Sequence, residues 1–124
     1  MANASTGVSF IEESGVRILL IDFSNSTPDE VLEVINSAEK TIAAEPEKSL
    51  LTLTNAEKAG HDRRVSERLK SYVANNKPYV KAGAVVGLNE LKRVIFNFLN
   101  RASGRSLKAF DDIKEAKSWL VRQG

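Results

Sequence analysis

The stretch VRILLIDF (16–23) places the tightest limit on what this chain can fold into. Successive side chains of a strand point to opposite faces, and here both alternating sides are apolar. Such a strand needs cover on both faces, as in a parallel sheet flanked by helices. The run before it, VSFIEE (8–13), alternates apolar and polar residues like a half-buried strand. Only Ser14 and Gly15 separate the two runs, which predicts an antiparallel hairpin.

Helix and strand signals then alternate to the end of the chain. Thr27 is an N-cap candidate, Pro28 suits a first helical position, and Glu30 completes a capping box. Val31, Ile35, Ala38 and Ile42 follow on one helical face. SLLTLT (49–54) reads as a third strand. A second helix is predicted from about Asp62 to Asn75, with Val65, Leu69, Tyr72 and Val73 on its apolar face and Pro78 beyond its end. YVKAGAVVG (79–87) is a fourth strand whose small residues let a helix approach closely. Asn89 caps a third helix with an apolar arc of Leu91, Val94, Ile95, Phe98, Leu99 and Ala102, and Gly104 ends it. SLKAF (106–110) is a short fifth strand. DDIKEAKSWLVRQ is a last helix, with Asp112 and Glu115 as a second capping box.

The order β-β-α-β-α-β-α-β-α predicts one α/β domain over 8–124, behind a disordered or extended tail (1–7). Its single mixed sheet has five strands, with strand 1 antiparallel and strands 2–5 parallel, and four main helices. Ligands of open α/β sheets bind at the carboxyl ends of the strands.

Composition narrows the chemistry. The chain has no cysteine, which removes disulfides, thiolate ligands and cysteine nucleophiles. One histidine leaves no His-based metal site, so no metal or cofactor is expected. A net charge of +2 gives no reason to expect specific nucleic-acid binding. No apolar run approaches a membrane span, and MANASTG lacks the basic and apolar regions of a signal peptide, so a cytoplasmic protein is expected. Gly83 and Gly87 lack the spacing and the Lys-Ser/Thr tail of a phosphate loop. The G-x-S-x-G elbow is also missing. An enzyme is therefore not expected.

The most polar stretch, TNAEKAGHDRRVSERLK (54–70), holds the candidate site. His61, Asp62, Arg63 and Arg64 fall at the start of the second helix, where backbone amides favour anions and two guanidinium groups add donors. In the other reading Asp62 is an N-cap and the arginines are solvated. Asp22, Ser24, Thr54, Asn55 and Asn89 belong to the same sheet edge. They would complete a polar pocket around His61, although each also suits a turn or a cap. Phe96 falls off the apolar arc of the third helix. With Arg93 and Trp119 it marks a partner surface and predicts a homodimer through that helix. Arg63, Arg64, Arg68, Lys70, Lys92, Arg93, Arg101 and Arg105 form a basic sector, which reads as a face for anionic lipid, nucleic acid or an acidic protein, or as solvated charge.

The element order resembles the STAS domain, most closely its SpoIIAA-like bacterial branch. Three stretches carry the resemblance: LLIDFSNSTPDEVLEVINSA, NKPYVKAGAVVGLNELKRVIFNFLNRASGR and AFDDIKEAKSWLV. It covers about Val8 to Val121. The resemblance implies a non-enzymatic module that binds a protein partner, as anti-sigma-factor antagonists do. It also implies an alternative, a carrier of a small anionic or lipid-like ligand, because the fold resembles the core of CRAL-TRIO domains. The antagonists carry a switch serine after an acidic residue at the start of the second helix. Asp62 matches that acidic residue, but Arg63 and Arg64 stand where the serines would be, and Ser66 lies one turn further in.

Overall fold

The computed structural model describes residues 7–124, so the expected tail lies, apart from Gly7, outside the described residues. Strands β1 (Val8–Glu13) and β2 (Val16–Asp22) form the antiparallel hairpin, with Glu13 opposite Val16. Its two-residue turn holds Ser14 at φ 50° and Gly15 at φ 78°. Positive φ at both positions belongs to turns whose twist matches that of the strands.

Helix α1 (Pro28–Ala43) begins with the full capping box. The Glu30 amide donates to Thr27 Oγ1 at 3.2 Å, and the Thr27 amide donates to Glu30 Oε1 at 2.9 Å. β3 (Leu50–Asn55) leads to α2 (Arg63–Asn76), capped by Asp62. β4 (Val80–Val86) leads to α3 (Glu90–Ser103), capped by Asn89 and closed by Gly104 at φ 73°. β5 (Lys108–Phe110) precedes α4 (Ile113–Gln123). The Asp112 carboxylate accepts from the Lys114 amide, the second of the helix. The reciprocal pair expected between Asp112 and Glu115 does not form, so this start has a single cap.

The five strands lie in the order β1-β2-β3-β4-β5, and β2 to β5 are parallel. Each crossover steps to the next position in the same direction. Right-handed connections of that kind place their helices on one face. That front face carries α1, α2 and α3, whose Ile35, Ile42, Val65, Val73 and Leu99 pack with Leu19 and Ile21 of β2. The other register of β2, Ile18 and Leu20, faces the back, where Leu53, Ala84 and Val86 meet Ala116 and Leu120 of α4. The apolar run on both sides of β2 thus has its explanation in two unequal cores.

Two placements on α3 and α4 differ from expectation. Phe96 is only 9% exposed and packs inward with Val85 and Ala56, whereas Leu91 (68%), Val94 (66%) and Phe98 (47%) face out. The apolar arc is rotated: α3 buries Phe96 and Leu99. Phe96 is therefore core and not partner surface. Trp119 is half-buried on the back, its ring 5.5 Å from that of Phe110, so it seals β5 to α4.

The front of β3 and β4 is sparsely furnished beneath α2 and α3. Its side chains are Thr52 and Thr54 on one strand and Gly83 and Val85 on the other. A Cβ on Gly83 would stand 2.5 Å from the Leu107 side chain, so the segment before β5 approaches there on the front, while on the back Ala84 lets α4 pack close, as expected. Above Thr54 and Val85 the small side chains leave space.

Candidate functional site

The carboxyl ends of β2, β3, β4 and β5 open on one edge, together with the four helix starts. Most of the polar residues expected to form a pocket there are committed locally. Asp22 Oδ1 accepts from the Ser24 amide at 2.9 Å and the Ser24 hydroxyl at 2.6 Å, closing the turn after β2. Asn55 Oδ1 accepts from the Glu57 amide at 3.0 Å, and Asn89 Oδ1 from the Lys92 amide at 2.8 Å. These two are a turn and a cap.

At the start of α2, Asp62 Oδ1 accepts from the Val65 amide at 3.0 Å. The amide bond first, and then Arg64, hold the Asp62 carboxyl below the usual carboxylate range. Arg64 is clamped between Asp62 Oδ2 and Asp29 Oδ1, both at 2.8 Å, and ties the start of α2 to that of α1. Arg63 is exposed and forms no ion pair among the described residues. Of the two arginines expected to hold an anion, Arg64 is thus committed to carboxylates of the chain. His61 Nε2 lies 2.7 Å from Ser66 Oγ, one turn on. A serine–histidine pair can activate a hydroxyl when a third group orients the ring. No carboxylate bonds the ring among the described residues.

Behind this edge lies an apolar cavity of about 130 Å³ between the sheet front, α2 and α3. Phe23, Val85 and Thr54 form its floor, Val65, Leu69, Tyr72 and Val73 one wall, and Ile95, Phe96 and Leu99 the other. Of the expected polar residues, Thr54 and His61 line this cavity. Asn89 instead borders an open polar cleft of about 350 Å³ with Glu57, Lys58 and Asp111. Arg93 Nη2 meets Asp111 Oδ1 at 3.1 Å beside that cleft, so its charge is partnered within the chain.

One residue of the site was expected from the sequence only as part of the basic sector, not of the pocket. Lys92 lines the cavity, and its Nζ donates to the Ala59 carbonyl at 2.6 Å and the Ala56 carbonyl at 3.4 Å. It ties the loop after β3 to α3 across the mouth. Burial pushes its ammonium below the ordinary lysine range, partly opposed by the charge of Glu57. No local pattern marks Lys92, because its partners lie more than thirty residues away.

Among the described residues no helix is long and apolar enough to cross a membrane. Comparison of the chain with known protein families, curated proteins and solved structures finds no match.

Proposed function

We propose that the chain is a non-enzymatic, STAS-type binding module that holds a small amphipathic ligand at the carboxyl edge of its sheet. The observation that carries this reading is the cavity of about 130 Å³, apolar inside and polar at its mouth. Protein interiors hold few voids larger than a water molecule, and an unfilled gap forfeits the dispersion contacts of its lining. An apolar cavity of about 150 Å³ holds a benzene ring, so the space suits one small ring or a short chain. The STAS assignment draws support from the antiparallel hairpin, the parallel strands after it and the three segments quoted above. Arg63 and Arg64 at the switch position favour control by a bound molecule over control by a phosphoserine. Methyl-detected NMR of the protein titrated with toluene tests the pocket. Val85 and Leu99 are expected to shift together and to saturate. Unmoved methyls at millimolar toluene, with no co-purified mass in native mass spectrometry, would argue against the reading.

A second reading, a homodimer through α3, rests on the outward stripe of Leu91, Val94 and Phe98. Glu90 and Arg101 lie eleven residues apart at its two ends, and neither forms an ion pair among the described residues. Two copies of α3 laid antiparallel about a two-fold axis would bring Val94 against Phe98 and each Glu90 toward an Arg101, the self-complementarity that such symmetry requires. Sedimentation velocity should show a concentration-dependent dimer that Phe98→Ser removes. A monomer at every concentration would refute it.

A further inference from the structure

We propose that the ligand is a small monocarboxylic acid, its carboxylate held by Lys92 and its apolar body in the cavity under α3. The inference rests on the pocket reading above and names the chemical class the pocket takes. Four residues with polar side-chain groups line a largely apolar space: Thr54, His61, Tyr72 and Lys92, of which Lys92 alone is a cation. The ammonium has three donors. Two of them are directed at the carbonyls of Ala59 and Ala56, and Lys92 has no ion-pair partner among the described residues. A cation at the mouth of an apolar cavity, with a donor to spare and only the more distant charge of Glu57 to offset it, is matched by a single anionic group. Thr54 makes no side-chain hydrogen bond among the described residues and adds a hydroxyl to the cavity floor.

The alternatives fit less well. A phosphate calls for several converging donors, yet the starts of α2 and α3 are already capped by Asp62 and Asn89, and Arg64 is held by two carboxylates. An amine would meet Lys92 with like charge. A neutral alcohol adds no counter-charge to it. Size sets the other limit, since the cavity takes about one six-membered ring.

The test compares four probes built on one benzene ring, toluene, benzyl alcohol, benzylamine and sodium benzoate, by methyl NMR titration at pH 7 and fixed ionic strength. On the unmodified protein, benzoate is expected to bind about tenfold more tightly than toluene, the usual worth of one charge-assisted hydrogen bond. Benzylamine is expected to bind most weakly. Lys92→Met keeps the aliphatic stem and should erase the preference for benzoate while toluene still binds. Toluene binding with benzoate equal or weaker would overturn the carboxylate assignment and leave the pocket reading intact. No binding by any of the four would overturn both. Because the ranking is measured on the unmodified chain, it decides the question even if the variant folds poorly.

Discussion

Glu39 shows how a single side chain makes the stability of this fold depend on pH. Its carboxylate accepts from Arg68 at 2.6 and 3.3 Å and from Asn75 at 3.1 Å, joining α1 to α2. The Arg68 hydrogen bond above all holds the group below its ordinary value of 4.5. A carboxyl whose value is lowered by folding adds stability that is fully present above about pH 4.5 and lost as the pH falls through the folded value. Glu39→Gln should cost about 1 kcal/mol at pH 7, a fall in Tm of about 3–4 °C. Thermal melts at pH 7 and pH 3 should show the gap between variant and wild type closing in acid. Residue by residue, what was readable in the sequence is what is local. Thr27 with Glu30, Asp62, Asn89 and Gly104 cap their helices as the sequence proposes, because each acts within one turn of itself. Lys92, and Arg64 where it reaches Asp29, act across tens of residues, and nothing in their immediate neighbours announces those contacts.

Among the helices, α3 is the one whose orientation the pattern leaves open. Seven of its fourteen residues are apolar, at 91, 94, 95, 96, 98, 99 and 102, and they wrap most of its circumference. Periodicity picks out an arc only when the other side is polar. The sheet makes the choice: the small front residues Thr54 and Val85 leave room for Phe96, which enters, and Leu91, Val94 and Phe98 are left outside. Phe96→Ala should therefore destabilise the protein by about 3 kcal/mol. Phe98→Ala in dilute protein should stay within about 0.5 kcal/mol of wild type. Urea unfolding of both variants checks the pair, and equal costs would contradict the rotated placement. α1 shows the opposite case. Its polar side is clean, and the apolar positions read from its sequence are among those it buries.

For the molecule as a whole, the alternation of strands and helices was enough to expect a mixed five-stranded sheet with four helices, since crossover handedness leaves few other arrangements. The cavity was not legible. It arises where residues from β3, β4, α2 and α3 fail to fill a shared space, and no single segment records that sum. The two cores are also unequal in a way the order of elements leaves unstated: three helices serve the front and α4 alone serves the back. Leu120, fully buried there, should cost about 3 kcal/mol as Leu120→Ala, measured by urea unfolding. Spatial strand order repeats chain order, so each strand finds its neighbour already made. The sheet can grow edge by edge while the ribosome delivers the chain at about 5–20 residues per second. The back is the exception, since Leu53 and Val86 stay bare until α4 emerges and docks. A nascent chain halted before that point leaves the apolar back of its sheet uncovered.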